Sequence, residues 1–250
     1  MSPKPATRRS LSKTLTGKEE IGPITRVALV TGASRGIGFA TAEALSRAGL
    51  DVVVTSTMKG GTAEIARRVR SNGRKAVECV WEATSRESAD ALIATAVKEL
   101  GRVDVLVNNA GILVRRPMEI ISDDDFDLVL KVNLSGPFYL VRRVVPEMIR
   151  RGYGRIINVS AINAKLGSPK AVGYAASKAG LDAMTRTLAE ELRGTGVFVA
   201  SVLPGSVDTD MLKGSGFEPA MSADDVAGVV RYLALQAPDA MRGAQLNVFG

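Results

Sequence analysis

Seven short apolar runs constrain the fold of this sequence most, because each is rich in β-branched residues and nearly all are separated by longer, helix-like stretches. The runs are RVALVT (26–31), DVVVTS (51–56), KAVECV (75–80), RVDVLVN (102–108), GRIINVS (154–160), GVFVASVLP (196–204) and AQLNVF (244–249). They do not alternate with polar residues, as expected for strands buried on both faces. The sequence therefore predicts one α/β domain over residues 26–250, a doubly wound parallel sheet of about seven strands with helices on both faces.

Residues 1–25 differ from the rest of the chain. They form a basic stretch with Pro, Ser and Thr and without apolar periodicity, so we expect a flexible tail. An organelle transit peptide is a weaker alternative. No apolar run reaches the roughly 18 to 20 residues that cross a bilayer. The single cysteine, Cys79, is expected in a buried strand and cannot form an intramolecular disulfide, so we expect a cytoplasmic protein without a membrane partner.

The composition excludes several chemistries. The chain contains no histidine, which rules out Ser-His-Asp triads, Cys-His pairs and histidine metal sites, so proton transfer has to use Tyr, Lys, Asp or Glu. The net charge of +7 is spread along the chain, so nucleic-acid binding is only a weak alternative. No metal site is predicted, because Asp123, Asp124 and Asp125 are interpreted as the acidic first turn of a helix.

A glycine-rich turn follows the first apolar run. Residues 32–38 (GASRGIG) lead into a helix predicted over Phe39–Ala48. Glycines in such a turn let main-chain N–H groups approach a pyrophosphate at the positive end of a helix. An ordinary strand-to-helix turn is the alternative, but it needs one or two glycines and not three. The turn predicts a nucleotide phosphate site formed by Gly32, Ser34, Arg35, Gly36, Ile37 and Gly38.

Five segments together resemble the short-chain dehydrogenase/reductase family. Its TGxxxGxG pattern matches residues 31–38, and the later matches are Asn108-Asn109-Ala110-Gly111, Asn133 in KVNLSGPF, Tyr174-Ala175-Ala176-Ser177-Lys178 and Pro204-Gly205. The pattern is most similar to that of 3-oxoacyl-[acyl-carrier-protein] reductases. The resemblance implies a Rossmann-type fold and an oxidoreductase acting on CH–OH groups. It also implies a nicotinamide cofactor, held by the glycine turn and by Ser56, Thr57, Glu82, Ala83, Asn109, Ala110, Gly111, Tyr174, Lys178, Pro204, Gly205, Val207 and Thr209.

The end of the second apolar run bears on the choice of cofactor. An acidic residue there would bind the adenosine ribose hydroxyls and repel a 2′-phosphate. The resemblance places this position at Ser56, followed by Thr57, and neither is acidic. Arg35 in the glycine turn is available to pair with a phosphate. NADP(H) is therefore the predicted cofactor.

Tyr174 and Lys178 are the predicted proton-transfer pair. They are four residues apart on a predicted helix, so their side chains share one face. An ammonium beside a phenol favours the phenolate, and we expect it to lower the pKa of Tyr174. By resemblance, Tyr174 donates a proton to the developing alkoxide, Lys178 also binds the nicotinamide ribose, and Asn133 supports a proton-relay water. An exposed Tyr/Lys pair without a role is the alternative, and the other motifs argue against it.

One position departs from the family pattern. Relatives usually have a serine thirteen residues before the tyrosine, where it helps to hold the substrate carbonyl, and this sequence has Ala161 there. Ser160 is one place early and would face the other side of a continuing strand. Losing such a donor typically lowers turnover by a factor on the order of 10² to 10³. Ser160, through a local bulge, and Asn163 are the candidate replacements, and reduced activity is the alternative.

The predicted reaction is the NADPH-dependent reduction of a ketone, with a 3-oxoacyl thioester of fatty acid biosynthesis as the leading substrate. An NADP-dependent dehydrogenase of an alcohol, sugar or secondary metabolite is a second possibility. A cofactor-binding protein with little or no catalysis is a third, favoured only by Ala161. The short segment after residue 205 is expected to leave the cleft open, and its apolar residues either form a flexible lid or pack on a helix: Met211, Leu212, Phe217 and Met221.

Two further expectations concern partners. Arg150, Arg151 and Arg193 lie near the helix ends with which related reductases meet an acidic acyl carrier, although these arginines serve equally well as solvated helix-end charges. By resemblance we also expect a homo-oligomer, a dimer or a tetramer, assembled through the helices that bear Asn133 and Tyr174 and through the last strand.

Overall fold

The computed structural model describes residues 25–213 and 216–250. The expected tail lies outside these ranges, apart from Thr25. Seven strands form one fully parallel sheet in the order β3-β2-β1-β4-β5-β6-β7, as the apolar runs predict. The strands are β1 (Val27–Val30), β2 (Asp51–Ser56), β3 (Ala76–Val80), β4 (Val105–Asn108), β5 (Gly154–Val159), β6 (Val197–Pro204) and β7 (Gln245–Val248).

Seven α-helices connect or cover these strands. They are α1 (Gly36–Arg47), α2 (Ala63–Ser71), α3 (Arg86–Leu100), α4 (Asp123–Leu130), α5 (Gly136–Arg151), α6 (Val172–Glu191) and α7 (Ala223–Leu235). A π-helical turn, Lys131–Ser135, joins α4 to α5, and a 3₁₀ turn, Ile162–Ala164, follows β5. The acidic triplet forms the first turn of α4, and the Ser122 hydroxyl caps this helix by accepting from the Asp125 amide at 3.0 Å. Helix α1 starts three residues earlier than predicted, inside the glycine turn.

The core consists of two apolar layers, one on each face of the sheet. Successive residues of β1 point to opposite faces, so that Val30 joins one layer and Leu29 the other, and both are fully buried. Helices α1, α2 and α7 cover the first face, and α3, α5 and α6 cover the second. This burial on both faces explains why the strands read as continuous apolar runs.

The two edge strands, β3 and β7, are the exceptions to full burial. Strand β3 holds the single cysteine. It lies at the sheet edge and pairs only with β2, so Cys79 is half-buried and the expectation of a buried cysteine is wrong in degree. Burial raises the pKa of the Cys79 thiol. Over the described ranges, no helix is both long enough and apolar enough to cross a membrane.

The strand order reverses between β1 and β4. The chain runs outward from β1 to β3 and then returns to the other side of β1, so neighbouring connections leave the sheet on opposite faces. In parallel α/β sheets this reversal leaves a crevice beyond the carboxyl ends of the strands, where ligands bind. The predicted site residues follow the carboxyl ends of these strands.

Candidate active site

The glycine turn connects β1 to α1 at the reversal point. Gly32 and Gly36 adopt positive φ angles of 64° and 56°, a region that side-chain-bearing residues rarely occupy. Gly38 is required for a different reason. A Cβ atom there would overlap the carbonyl oxygen of Gly32 and the side-chain amide of Asn109. The three glycines therefore let the chain turn tightly and bring the start of α1 against the end of β4.

A hydrogen-bonded link holds the ends of β1 and β4 together. The Asn109 side-chain amide donates to the Thr31 and Gly32 carbonyls, at 2.9 and 3.2 Å. In return, the Thr31 hydroxyl accepts from the main-chain N–H groups of Asn109 and Ala110, both at 3.0 Å. Thr31, although part of the TGxxxGxG match, was not among the predicted site residues. Its role depends on a contact with residues 78 and 79 positions away.

A groove of about 660 Å³ runs along this edge of the sheet. We define the groove by its lining, which contains twelve of the predicted cofactor residues: Gly32, Ser34, Arg35, Ile37, Ser56, Thr57, Glu82, Ala83, Asn109, Ala110, Gly111 and Thr209. Gly36 and Gly38 do not line it, because they shape the turn from behind. The groove is of the size typical for small-molecule and cofactor sites.

The charges along the groove are mixed. The Arg35 side chain is 76% exposed and lies 3.6 Å from the carboxylate of Asp210, which is also paired with Lys213 at 2.5 Å. Glu82 is held in its own turn, where it accepts from the amide and the hydroxyl of Thr84 at 3.2 and 2.9 Å. The hydroxyl of Ser56 donates to the Met58 carbonyl at 2.7 Å. The carboxyl end of β2 therefore presents hydroxyl groups to the groove and no carboxylate.

These features fit a dinucleotide. The turn offers main-chain groups without intervening Cβ atoms at the start of a helix, which is the arrangement that binds a pyrophosphate. A cation, Arg35, lies beside it, and polar groups at the ends of β2 and β4 line the two sides of the groove. The residues that would hold the cofactor are those of the groove and the adjoining pocket.

A smaller cavity of about 130 Å³, the inner pocket, opens from the groove. Five residues line both cavities: Ile37, Leu113, Arg115, Thr209 and Met211. The inner pocket also contains Ser160, Asn163, Tyr174, Lys178, Pro204, Gly205 and Val207. The structure thus brings the predicted catalytic pair and the residues after β6 to the end of the predicted cofactor groove.

Tyr174 and Lys178 lie side by side at the base of the inner pocket. Their side chains are on the first two turns of α6 and are 8% and 3% exposed. The ammonium lies 5.7 Å from the Tyr174 ring centre and donates to the Val159 carbonyl at 2.8 Å. Within the described ranges, the Tyr174 hydroxyl has no hydrogen-bond partner. It is therefore available to a group that enters the pocket.

The electrostatics of this pair differ from the expectation. Burial raises the pKa of Tyr174 to about 12, and the charge of Arg115 opposes this only in part. Burial lowers the pKa of Lys178 to about 8, partly offset by Asp182. The expected decrease in the pKa of Tyr174 is therefore wrong for this structure, because the loss of hydration outweighs the opposing charge of Arg115. At neutral pH Tyr174 is a protonated phenol.

Asn133 lies in the π-helical turn between α4 and α5 and is fully buried. Its side chain accepts from the Ile112 amide at 2.8 Å and donates to the Ile112 carbonyl at 2.9 Å and to the Ser177 hydroxyl at 3.0 Å. It therefore links the loop after β4 to α6, three residues from Tyr174. Its side chain does not line either cavity, so its predicted support of a proton-relay water stays a prediction.

Three residues that follow β5 lie near the position of the missing serine, and each has different contacts: Ser160, Ala161 and Asn163. Ala161 packs against Tyr174 and is 5% exposed. Ser160 lines the inner pocket, but its hydroxyl donates to the Lys178 carbonyl at 3.3 Å and interacts with buried Asp182. Asn163, in the 3₁₀ turn, also lines the pocket. A carbonyl beside Tyr174 would therefore find a methyl group at 161 and an amide at 163.

Several lining residues were not predicted from the sequence. Trp81, Asp210 and Lys213 line the groove, and Arg115 lines both cavities. Trp81 precedes Glu82, and Arg115 follows the Asn-Asn-Ala-Gly motif by four positions. Proximity to a recognised motif was the available signal, but it does not say which neighbours face the cavity.

The expected lid residues are distributed between two roles. Met211 and Leu212 line the inner pocket, whereas Met221 is 7% exposed and belongs to the core. Phe217 is exposed. The sequence left two alternatives for this segment, a lid over the cleft or packing against the domain. The beginning of the segment lines the pocket, and its end at Met221 packs in the core.

The three arginines near the ends of α5 and α6, Arg150, Arg151 and Arg193, do not line the groove or the inner pocket of their own chain. Arg150 and Arg151 are the last residues of α5, and Arg193 follows the end of α6. All three lie shortly before β5 or β6 begins, and therefore near the amino ends of the strands. Arg150 and Arg193 pair with glutamates one turn earlier, both at 2.6 Å. Arg151 is only 17% exposed and donates to the Val103 carbonyl at 2.6 Å. This placement favours the structural alternative for these residues.

The fold, the glycine turn and the groove together define a Rossmann-type dinucleotide-binding domain. Comparison with known sequences goes further, because the profile of the family described as short chain dehydrogenase matches residues 26–218. The chain belongs to this family of oxidoreductases.

Individual relatives agree with this assignment. The chain is 36% identical over 236 residues to a 3-oxoacyl-[acyl-carrier-protein] reductase of Synechocystis sp., covering 90% of this chain and 96% of the relative. It is 34% identical over 237 residues to the enzyme of that name from Thermotoga maritima, with the same coverage. A crystal structure from Sinorhizobium meliloti 1021, described as a short-chain alcohol dehydrogenase, superposes with a TM-score of 0.82 at 32% identity, covering 90% and 96% of the two chains.

Proposed function

We propose that this protein reduces a ketone to an alcohol with NADPH and that Tyr174 donates the proton. The observation that carries the proposal is the position of Tyr174. Its unpaired hydroxyl lies in a small pocket beside a buried lysine, at the end of a groove that fits a dinucleotide. When bound, the nicotinamide supplies hydride to a carbonyl carbon.

The proton chemistry favours reduction over alcohol oxidation. A phenol with a pKa of about 12 is protonated at neutral pH, and an alkoxide is a stronger base than a phenolate, so donation from Tyr174 to a developing alkoxide is favourable. Oxidation of an alcohol would need the phenolate, which burial disfavours. The Lys178 ammonium lies 5.7 Å from the Tyr174 ring centre, and its positive charge favours the phenolate that remains after donation.

The second part of the proposal is a preference for NADPH over NADH. It is supported by the hydroxyl groups of Ser56 and Thr57 at the end of β2 and by the exposed cation of Arg35 beside the phosphate turn. A 2′-phosphate could replace Asp210 as the partner of Arg35. In Arg35→Gln we expect the ratio of NADPH to NADH affinity to fall about tenfold. Arg47→Gln, which removes a paired arginine outside the groove, should leave the ratio unchanged.

The identity of the ketone is open to a direct test. The relatives from Synechocystis and Thermotoga are named for 3-oxoacyl groups on acyl carrier protein, so acetoacetyl thioesters are the first substrates to try. Asn163 is the group we propose to contact the carbonyl in place of the serine absent at 161. It lines the pocket, whereas the hydroxyl of Ser160 is already bonded to α6.

The deciding experiment follows NADPH oxidation with acetoacetyl thioesters and a panel of small ketones. Wild-type protein should turn over at least one of them, and Tyr174→Phe should lose that activity while it still binds NADPH. Tyr153→Phe is the matched control, because Tyr153 packs under Arg26, away from both cavities. Turnover that survives in Tyr174→Phe would refute the proposed proton donor. Tight NADPH binding without turnover of any ketone would instead favour a non-catalytic, cofactor-binding role.

We also propose a homo-oligomer. Large apolar side chains are exposed on α4, α5 and α6 and after the last strand, namely Leu128, Phe138, Ile149, Val172 and Phe249. Large apolar side chains exposed on helices are common at subunit interfaces. Light scattering coupled to size-exclusion chromatography should give the mass of a dimer or a tetramer, and a monomer at micromolar concentration would contradict the proposal.

A further inference from the structure

Arg115 is a cation at the junction of the two cavities. It lies in the loop after β4 and lines both the groove and the inner pocket. Among the residues that the structure describes, no side chain forms an ion pair or a hydrogen bond with its guanidinium. Its neighbour Arg116 pairs with Asp125 at 3.3 Å, and the Arg116 amide donates to the Lys170 carbonyl at 2.8 Å. The same loop therefore holds one paired arginine and one unpaired arginine.

The inner pocket is positive. Its lining includes two cations, Arg115 and Lys178, and none of its lining residues is acidic. The nearest carboxylate on α6, Asp182, is buried behind Ser160 and Ser201 and does not line the pocket. Arg115 is exposed, so bulk solvent screens part of its charge, but a cation at the wall of a small cavity keeps part of its field inside that cavity. The charge of Arg115 reaches the base of the pocket, since it acts on the Tyr174 hydroxyl.

From this charge arrangement we infer that the ketone substrate carries a carboxylate within a few bonds of its carbonyl, and that Arg115 binds this carboxylate. The inference rests on the proposed function, because it names the class of ketone that the site accepts. A guanidinium pairs with a carboxylate through two parallel hydrogen bonds, which orients the substrate as well as binding it.

The pairing would also compensate for Ala161. With a methyl group where relatives use a hydroxyl, the carbonyl has fewer donors to position it. A carboxylate held at Arg115 would provide a second fixed point, so that the carbonyl oxygen meets Tyr174 in one orientation. Arg115 would then be a specificity-determining residue that contacts the substrate at a distance from the reacting atoms.

The test compares each acid with its own methyl ester, since the pair differs mainly in charge. Short 2-oxo, 3-oxo and 4-oxo acids, their esters and an acetoacetyl thioester are assayed with NADPH on wild type, Arg115→Gln, Arg115→Lys and Arg116→Gln. For at least one chain length, wild type should prefer the acid by about 10- to 100-fold in kcat/KM. Arg115→Gln should bring that ratio close to one, Arg115→Lys should retain part of it, and Arg116→Gln should retain all of it.

Other outcomes overturn the inference while leaving the ketone reductase intact. One is that wild type uses the esters or the thioester as well as the acids. Another is that Arg115→Gln lowers kcat/KM equally for acids and esters, which would place Arg115 with Tyr174 or the cofactor. A fluorescence titration with NADPH distinguishes the role beside Tyr174 from the role in cofactor binding. A higher Kd for NADPH in Arg115→Gln than in wild type would assign the arginine to the cofactor. Failure of the proposed function has a different signature, namely no ketone turnover or full turnover by Tyr174→Phe.

Discussion

Replacing Lys178 by Met should change how the stability of the cofactor-free protein depends on pH. The ammonium is 3% exposed and has a single hydrogen bond, to the Val159 carbonyl. Burial lowers the pKa of Lys178 from 10.5 to about 8. A methionine of similar length fills the same space without a charge, so the variant isolates the free energy of burying the ammonium.

The sign follows from where the proton is bound more tightly. The unfolded lysine keeps its proton up to about pH 10.5, whereas the folded one loses it near pH 8. Burying the protonated Lys178 side chain therefore lowers the free energy of unfolding by about 3 kcal/mol below pH 8, since each pKa unit corresponds to about 1.4 kcal/mol. This cost is relieved as the pH rises from 8 to 10.5, and about 2 kcal/mol of it is recovered between pH 7 and pH 9.5. Above pH 10 the opposite effect of Tyr174, whose folded pKa is about 12, would begin to mask it.

The assay is urea unfolding of cofactor-free protein at several values between pH 7 and pH 9.5. The free energy of unfolding of wild type should rise by about 2 kcal/mol relative to that of Lys178→Met over this range. Lys98→Met removes an exposed lysine on α3 and should follow wild type. Parallel pH curves for wild type and Lys178→Met would refute the argument, because they would mean that the ammonium is hydrated in the folded protein.

Three further predictions concern the turn, the loop link and the missing serine. Gly38→Ala should lower the free energy of unfolding by about 1–3 kcal/mol and weaken NADPH binding, because the added Cβ overlaps the Gly32 carbonyl. The control is Gly73→Ala, where φ is positive but the space around the Cβ is open. This variant should lower the free energy of unfolding less and leave NADPH binding unchanged. Asn133→Ala should cost about 1–3 kcal/mol, measured by urea unfolding, since it leaves the partly buried main-chain groups of Ile112 and the buried Ser177 hydroxyl without this partner. A loss below about 0.5 kcal/mol would contradict this. Because Asn163 is proposed to contact the carbonyl in place of the serine, Ala161→Ser should raise kcat in the NADPH assay far less than the factor on the order of 10² that a missing donor costs. A gain of that full size would mean that the site lacks this donor.

Many features of the fold depend on residues close together in the sequence, and these features were predictable from the sequence alone. Each strand is an apolar run of four to eight residues, because strands covered on both faces need no polar side. The glycine turn and the i, i+4 spacing of Tyr174 and Lys178 are also local, since one is a backbone requirement and the other a helical period. These patterns were sufficient to predict the seven-stranded parallel sheet, the phosphate turn and the Tyr174/Lys178 pair, whereas the other residues predicted along the groove came from the family resemblance.

Only the tertiary structure decided the properties that depend on burial and on distant neighbours. The pKa of Tyr174 is raised because its loss of hydration outweighs the opposing charge of Arg115, a residue that the fold and not the helical spacing brings near it. Ser160 is turned toward α6 by contacts across the core. Over residues 25–213 and 216–250, Arg116 has an acidic partner and Arg115 has none, although the two are adjacent in the sequence. Periodicity says which residues share a face, but hydration and charge pairing depend on which other segments the fold brings against that face.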